Sequence, residues 1–310
     1  MSKHEGESSI REFIKSHAVL RVPLSPIVRL ARKVFRPEHE RRFAAFRDLW
    51  TVVEGGSLVV RLPTFRGSFE IGSHSEILQR ILVTGDYEPE VAQIVRDHID
   101  PNRDAIDVGA NVGLFTVLLS NLLSSANKVL AIEPTPGALK YLRRNIEMNQ
   151  QGSRVVVFDG VATNTTGEAR LNVIAGMEEY STLGAMAHPA VSGRSHQQLA
   201  VASDTIDSLV SRFGLRPGFL KIDTEGSEHD VLLGCEQTML THRPIVLCEA
   251  WADSVMSAAG RVPGAVAALL NQRGYVASEC ADGELLAIPT EIARTRAIAP
   301  RVLADGGAHE

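Results

Sequence analysis

In the first third of this chain of 310 residues, hydrophobic and polar residues follow three successive patterns. In residues 26–35 apolar residues recur at helical spacing, which predicts an amphipathic helix. After Trp50, the stretch SLVVRLPTFRGSFEIG alternates apolar and polar residues around a turn, which predicts a small antiparallel β unit. Residues 75–99 return to helical spacing, and interruptions at Gly85 and Pro89 divide them into two predicted helices.

From residue 104 onward, short apolar runs alternate with helical segments. The predicted strands are AIDVG, KVLAIEP, RVVVFDGVA, FLKID and PIVLCEAW, and YVASEC-ADGE-LLAIP predicts a terminal hairpin. This order predicts an α/β fold with a doubly wound, mostly parallel, Rossmann-like sheet and a C-terminal antiparallel hairpin. We expect a helical and β extension over residues 1–74, a main domain over residues 75–290 and a tail over residues 291–310.

Two stretches depart from this alternation. TTGEARLNVIA suggests a β-hairpin excursion beyond the third strand. The following stretch, GMEEYSTLGAMAHPAVSGRSHQQ, is polar, glycine-rich and aperiodic, which predicts a loop or lid. His188 and His196 lie in this predicted lid and are candidate bases if it closes over a substrate, although lone loop histidines usually have no catalytic role. The polar residues after about Thr290 are expected to pack weakly.

Composition narrows the class of protein. The chain is 44% hydrophobic and 22% charged, as soluble globular proteins are. It has no apolar run of about 18 residues, and its polar N-terminus is a poor signal peptide, so we expect a cytoplasmic protein. Cys235, Cys248 and Cys280 lack metal-binding spacing and are interpreted as reduced thiols. A net charge of −5 argues against a general nucleic-acid binder.

The charge is distributed unevenly along the chain. Residues 1–50 hold eleven Lys/Arg against six Asp/Glu, a net charge of +5. This basic segment could act as a membrane-surface or partner-docking arm, or as a helical cap over the domain with a solvated basic face. The cap is favoured, because no dense Lys/Arg block accompanies large aromatic residues.

Polar side chains follow the first two strands of the predicted sheet. Ligands of open α/β sheets bind outside the carboxyl ends of the strands. The first strand ends in DVGANVG, where Gly109 and Gly113 permit a tight turn and Asp107 would attract an ammonium group. The second ends in Glu133, a carboxylate that can accept both hydroxyls of a ribose. A ligand with a cationic amino-acid head and an adenosine ribose suits both, which points to S-adenosylmethionine.

Four segments carry a resemblance to a known family. AIDVGANVGLFT, VLAIEPTPGALKYLRRNIEMN, FLKIDTEGSEHDVLLG and PIVLCEAW together resemble the FkbM family of S-adenosylmethionine-dependent methyltransferases. The resemblance implies the class I methyltransferase sheet, with six parallel strands and one antiparallel strand. It also implies a cofactor site. The methionine moiety would be lined by Asp107, Gly109, Asn111 and Gly113. The ribose would be bound by Glu133, and the adenine would lie near Asp159. A surface turn explains Asp159 equally well.

The stretch FLKIDTEGSEHD carries the candidate chemistry. In the implied topology the fourth strand neighbours the first, so the tip of FLKID lies beside the transferable methyl group. Asp223 is therefore the main candidate for the catalytic residue or for a metal ligand. Glu225 and Glu249 could join it in an oxygen-rich site for Mg²⁺ or Ca²⁺, and Glu249 is also a candidate catalytic residue. Such an ion, or a base, would help to deprotonate a hydroxyl acceptor.

Other residues of this stretch have competing explanations. His229 is a candidate catalytic base, but a solvent-exposed helix residue explains it better, since a helix N-terminus disfavours the imidazolium. Glu228 suits a helix start. Lys221 lies on the same side of the strand as Asp223, so an ion pair is expected, with a structural role favoured for the lysine. Glu88 could reach the methionine end, although a solvated helix start explains it better.

These observations favour an O-methyltransferase that acts on a hydroxyl of a small molecule such as a sugar, a glycolipid or a polyketide-type natural product. An N- or carboxyl-methyltransferase is the nearest rival. A nicotinamide-dependent oxidoreductase is disfavoured by the G-x-x-x-G spacing and by the lack of a Tyr-x-x-x-Lys pair. A non-catalytic scaffold is disfavoured by Asp107, Glu133 and Asp223. A homo-oligomer is possible.

Overall fold

The computed structural model describes residues 50–53, 56–73, 75–174, 181–183, 196–249, 262–281 and 283–295. The amphipathic helix predicted in residues 26–35 and most of the predicted lid lie outside these ranges. None of the helices in the described ranges has the length and apolar character needed to cross a bilayer.

The central sheet has seven strands in the order β12-β13-β11-β10-β4-β5-β6. Its parallel strands are β4 (Asp104–Val108), β5 (Val129–Glu133), β6 (Val155–Asp159), β10 (Pro217–Ile222) and β11 (Ile245–Glu249). The hairpin of β12 (Tyr275–Ala281) and β13 (Glu284–Pro289) completes the sheet, and β13 pairs antiparallel with both neighbours. Six strands therefore run in one direction and β13 runs against them, which confirms the predicted class I methyltransferase topology.

Helices cover both faces of this sheet. One face packs against α1 (Glu76–Thr84), α2 (Pro89–His98), α3 (Leu114–Leu122) and α4 (Pro136–Met148). The other packs against α5 (Ile206–Phe213), α6 (Glu228–Leu233), α7 (Glu236–His242) and α8 (Ala265–Gln272). The last helix of the described residues, α9, spans Thr290–Thr295. Since side chains alternate along a strand, Asp107 and Lys221 lie on the face that carries α3.

An N-terminal sheet of β1 (Trp50–Val53), β2 (Ser57–Leu62) and β3 (Gly67–Gly72) packs on the same face as α3. A 3-10 turn joins β2 to β3, and its Phe65 ring lies edge-on to Phe69 and to Phe115 of α3, with centroids 6.2 and 5.2 Å apart. The amide of Asn145 in α4 bonds to both the main-chain N and O of Glu70. The described part of the predicted extension thus shares a core with the central fold.

A third sheet, in the order β7-β9-β8, forms the predicted excursion. It contains β7 (Val161–Ala162), β8 (Gly167–Val173) and β9 (Gln197–Asp204). The prediction of a single strand over RVVVFDGVA was wrong, because the chain leaves the central sheet after Asp159 and β7 pairs with β9 instead.

Three local predictions also needed correction. The segment SEHDVLLGCEQTML has a helical pattern throughout, but it forms two helices that divide at Gly234, where a Cβ would lie 2.1 Å from the carbonyl oxygen of Thr163. The pattern of DTIDSLVSRFG makes Asp204 a plausible N-cap, but Thr205 caps α5 through its side chain, which accepts from the Ser208 N–H. The residues from Thr290 were expected to pack weakly, but α9 buries Ala293 against the sheet.

Candidate active site

A cavity of about 910 Å³ opens at the carboxyl edge of the central sheet. The ends of β4, β5, β10 and β11 meet there, as does the start of β13, because β13 runs in the opposite direction. Its volume lies in the range of small-molecule sites. Seven of the predicted site residues line it: Asp107, Gly109, Asn111, Glu133, Asp223, Glu225 and Glu249.

Asp107 forms a buried anionic end of this cavity. It is 1% exposed, and its Oδ2 accepts a hydrogen bond of 2.6 Å from the hydroxyl of Thr116. Its other oxygen, Oδ1, has no hydrogen-bond partner. Burial raises the pKa of Asp107, while Lys221 and Thr116 act in the opposite direction. A buried carboxylate with one unused oxygen fits a cationic ligand group.

The turn after β4 brings the two predicted halves of the site together. Gly109 has a φ of +79°, and a Cβ at this position would lie 1.7 Å from the main-chain oxygen of Asp223. Only glycine permits so close an approach. The main-chain N–H of Asn111, in the same turn, donates to Oε2 of Glu133 at 2.9 Å.

Glu133 is held in one orientation by the main chain around it. Its Oε1 accepts from both the N–H and the hydroxyl of Thr135, at 2.8 and 2.6 Å. The residue is 5% exposed, and burial raises its pKa to about 6 even though these hydrogen bonds favour the carboxylate. A fixed carboxylate at the end of β5 is suitably placed for the hydroxyls of a ribose.

Lys221 connects the two ends of the cavity. Its Nζ lies 2.8 Å from Oδ2 of Asp223, as predicted, and 4.6 Å from the centroid of the Phe115 ring. It is 1% exposed and is the register partner of Asp107 on β4. Burial alone would lower the pKa of Lys221, but the nearby carboxylates raise it overall, those of Asp223 and Glu284 most strongly. The lysine is therefore a buried cation surrounded by acids.

The acidic turn after β10 is shaped by Glu228. Oε1 of this side chain accepts from the N–H and hydroxyl of Thr224, both at 3.0 Å, and from the N–H of Gly226 at 3.1 Å. Glu228 is 2% exposed, so its carboxylate stabilises the turn through these hydrogen bonds and does not contact solvent. From the predicted lid, the hydroxyl of Thr182 donates to the main-chain oxygen of Glu225.

We predict that Glu228→Ala unfolds this turn. Two main-chain N–H groups would lose a charged acceptor, which should cost about 3 kcal/mol of unfolding free energy. Glu228→Gln keeps the amide oxygen as an acceptor and should cost about 1 kcal/mol. Urea denaturation followed by circular dichroism measures both values. Equal losses in the two variants would contradict this role, because they would show that the acceptor oxygen is not what stabilises the turn.

Asp223, Glu225 and Glu249 converge as predicted. One carboxylate oxygen from each lies within 4.8 Å of the other two. Burial, followed by the charges of Asp223 and Glu225, raises the pKa of Glu249 well above its usual range. Its Oε2 is buried without a hydrogen-bond partner. Oxygen donors in this arrangement fit Mg²⁺ or Ca²⁺.

Three predicted site residues do not line the cavity. Gly113 is the N-cap of α3 and lies behind the turn, with a φ of +91°. Asp159 is exposed on the surface and pairs with Arg143 at 3.2 Å. His229 lies in the first turn of α6 and is half-buried away from the cavity lining. Their roles in ligand binding therefore stay predictions, and the cavity lining gives them no support.

Two cavity residues were missed or undervalued. Glu88 is not a solvated helix start, because its side chain is 19% exposed and lines the cavity. Glu284 opens β13 and is 6% exposed; burial raises its pKa to about 8, with Lys221 acting in the opposite direction. The predicted hairpin could have revealed Glu284, since the first residue of an antiparallel strand lies at the carboxyl edge of its parallel neighbours.

Strained backbone also lies at this cavity. Asn111, Glu225 and Glu88 have φ values of 48°, 54° and 39°, in the left-handed region that non-glycine residues rarely adopt. All three line the cavity. Such strain concentrates at functional sites, where the surrounding structure holds it in place.

Unused hydrogen-bonding capacity is concentrated here as well. The described residues include buried side-chain oxygens without a hydrogen-bond partner in Asp107, Ser181, Ser227, Glu249 and Glu284. All five residues line the same cavity. Buried polar groups are almost always satisfied in native proteins, so oxygens left unused together indicate a place for a polar or cationic ligand.

The sheet order and the reversed strand define a class I methyltransferase fold, which has an acidic cavity at the carboxyl edge of its sheet. Residues 107–277 match the model of the methyltransferase FkbM domain. The match spans more than half of the chain, and the chain therefore belongs to the FkbM methyltransferase family.

Individual proteins that resemble this chain share no more than a quarter of its residues over the aligned regions. The chain is 25% identical to methyltransferase sdnD of Sordaria araneosa over 213 residues. The aligned region covers 59% of this chain and 80% of that protein. A crystal structure of methyltransferase FkbM from Methylobacillus flagellatus is 20% identical, with a TM-score of 0.42, over 61% of this chain and 44% of that one. An O-methyltransferase from Bacillus cereus, in complex with SAH, is 16% identical, with a TM-score of 0.42, over 69% of this chain and 89% of that one. The chain thus spans less than half of the Methylobacillus protein.

Proposed function

We propose that this methyltransferase uses S-adenosylmethionine and transfers its methyl group to a hydroxyl of a small molecule, such as a sugar, a glycolipid or a polyketide-type natural product. The observation that carries the cofactor assignment is the pair of buried carboxylates at the tips of adjacent strands, Asp107 and Glu133. Asp107 offers its unused Oδ1 to the cofactor's ammonium group. Glu133, fixed by Asn111 and Thr135, offers its remaining lone pairs to the ribose hydroxyls.

The reaction requires positioning and the removal of one proton. An acceptor oxygen attacks the methyl carbon, an O–CH₃ bond forms, and the S–CH₃ bond breaks with its electron pair going to sulfur, which turns the sulfonium into a thioether. The hydroxyl proton goes to a carboxylate, for which Asp223 is the proposed base. Asp223 follows β10 directly, next to the cofactor turn, and its side chain is 32% exposed, so it can reach an acceptor in the cavity.

A divalent cation fits the same end of the cavity. Asp223, Glu225 and Glu249 would hold it, and the unused Oε2 of Glu249 supports this assignment. When bound, Mg²⁺ or Ca²⁺ would make an acceptor hydroxyl more acidic. The third predicted catalytic residue, Glu249, would then act as a ligand rather than as the base.

The cofactor proposal predicts selective stabilisation by S-adenosylhomocysteine. At a concentration of 100 times its Kd, a ligand that binds only the folded state adds about 2.7 kcal/mol to the unfolding free energy. We expect a corresponding rise in Tm with S-adenosylhomocysteine and none with NAD⁺, and we expect Asp107→Asn to weaken the response. A Tm that rises only with NAD⁺ would favour the oxidoreductase alternative, and an unchanged Tm with both would contradict the methyltransferase cofactor site.

The cation proposal predicts binding that can be measured without turnover. In isothermal titration calorimetry of chelator-treated protein, Mg²⁺ or Ca²⁺ should bind at one site, and Glu249→Gln should weaken that binding about tenfold or more, as expected when a charged ligand is lost. Asp97→Asn, an exposed change of the same charge on α2, should have no effect. Absence of binding, or equal binding by wild type and Glu249→Gln, would exclude this cation site.

A cytoplasmic location is also proposed, supported by the free thiols of all three cysteines. Cys235 and Cys248 are buried in the core, and burial raises both of their pKa values. Such thiols are unreactive and suit a reducing compartment.

A further inference from the structure

Glu284 is a buried carboxylate that neither the cofactor nor the cation accounts for. It opens β13 and is the direct register partner of Glu249 on β11. Paired residues of antiparallel strands have Cβ atoms about 4.5–5.5 Å apart on one face of the sheet, so both carboxylates project from the same edge. Glu284 is 6% exposed, lines the cavity, and has no hydrogen-bond partner for Oε2.

The protein supplies no cation of its own to this oxygen within the described residues. Ten carboxylate side chains line the cavity there, against two basic ones, Arg80 and Lys221. Arg80 pairs with Glu88 at 2.9 Å, and Lys221 pairs with Asp223 at 2.8 Å. Lys221 acts on Glu284 only at longer range, as a charge that favours its ionised form. We call the part of the cavity around Asp223, Glu249 and Glu284, where the acceptor is proposed to bind, the acceptor end. Glu284 is the acid at this end to which neither a basic side chain of the described residues nor a proposed ligand has been assigned.

The surplus of carboxylates restricts the charge of the acceptor. A phosphate or carboxylate group would be repelled at this end of the cavity, and losing its hydration there would be costly. A neutral hydroxyl could give Oε2 one ordinary hydrogen bond. An ammonium group would give a charge-assisted bond, which is about twice as strong. It would also favour the ionised form of Glu284, whose pKa burial raises to about 8 in the absence of a ligand.

We propose that the acceptor carries an amino group next to its hydroxyls, as amino sugars do, and that Glu284 binds the ammonium form of this group. This proposal rests on the proposed function, because it places the acceptor in the same cavity as the cofactor. A protonated amine has no lone pair for the methyl carbon, so Glu284 directs the methyl group to a hydroxyl. It thereby favours O-methylation over the N-methylation alternative.

The test compares three hexoses that differ in charge: glucosamine, glucose and glucose 6-phosphate. Each is titrated into the protein saturated with S-adenosylhomocysteine, and binding is followed by saturation-transfer NMR. We expect wild type to bind glucosamine about tenfold more tightly than glucose and to show no binding of glucose 6-phosphate. Glu284→Gln should reduce the preference for glucosamine to about twofold or less. Glu279→Gln, an exposed change of the same charge on β12, should leave it intact.

Each other outcome overturns the inference. Equal binding of glucosamine and glucose, tighter binding of the phosphate, absence of glucosamine binding at millimolar concentration, or an unchanged preference in Glu284→Gln would show that Glu284 does not bind an ammonium group. These outcomes are separate from a failure of the proposed function, since that failure appears first as an absence of S-adenosylhomocysteine binding.

Discussion

Asp223→Asn should abolish most methyl transfer while leaving the cofactor bound. An amide cannot take the proton of an acceptor hydroxyl, and the loss of a general base lowers the rate by about 10²–10⁴-fold. The cofactor should bind with nearly unchanged affinity, because the proposed cofactor contacts come from Asp107 and Glu133. The variant should still fold, because the buried charge of Lys221 remains compensated by the nearby carboxylates of Asp107 and Glu284. Transfer can be measured with labelled S-adenosylmethionine and a metabolite extract of the producing cells, read by mass spectrometry.

Two controls separate the possible roles of Asp223. Asp97→Asn, on the exposed face of α2, should transfer label at the wild-type rate. Calorimetry with S-adenosylhomocysteine should give similar Kd values for wild type and Asp223→Asn. If this variant lost cofactor affinity together with turnover, Asp223 would belong to the cofactor site; wild-type turnover would remove it from the chemistry altogether.

The positions of the residues at the proposed cofactor end of the site could be predicted because their signals are local. Glu133 ends β5 and Asp107 is the last residue but one of β4. The apolar pattern marks both strands clearly, and adjacent parallel strands bring their carboxyl ends together. Asp223 followed from the same rule, once the fourth strand was placed beside the first. The ion pair between Lys221 and Asp223 followed from the two-residue period of a strand.

The acceptor end depends on packing that no local pattern encodes. Glu88 has an ordinary helix-start sequence, yet its left-handed backbone places it in the cavity beside Arg80. Glu284 enters only because β13 returns antiparallel to the cavity edge. Glu228 is near a capping pattern in sequence, but the structure turns its carboxylate back onto Thr224 and Gly226. A single backbone angle decides the role of Glu88, strand pairing distant in sequence decides that of Glu284, and the local geometry of the turn decides that of Glu228.

Lys221→Met should have the largest effect on stability of the substitutions considered. Methionine fills a similar volume and can still pack on Phe115, but it removes the buried cation between Asp107, Asp223 and Glu284. Breaking a buried charge pair from one side typically costs about 3–5 kcal/mol, because the remaining charges stay uncompensated. The loss should also weaken cofactor binding, since Lys221 opposes the rise that burial causes in the pKa of Asp107. Urea denaturation at neutral pH and calorimetry with S-adenosylhomocysteine measure the two effects.

The double variant Lys221→Met/Asp223→Asn distinguishes charge from packing. If the cost comes from uncompensated carboxylates, removing the charge of Asp223 as well should restore about 1–3 kcal/mol, the coupling expected for residues in direct contact. Recovery should be partial, because Asp107 and Glu284 remain buried next to the lost cation. If Lys221 acts only through the packing of its carbon chain, the double variant should instead be less stable than Lys221→Met alone. That result would show that Lys221 stabilises the protein by packing, and that the carboxylates of the cavity are compensated by bound ligands rather than by this lysine.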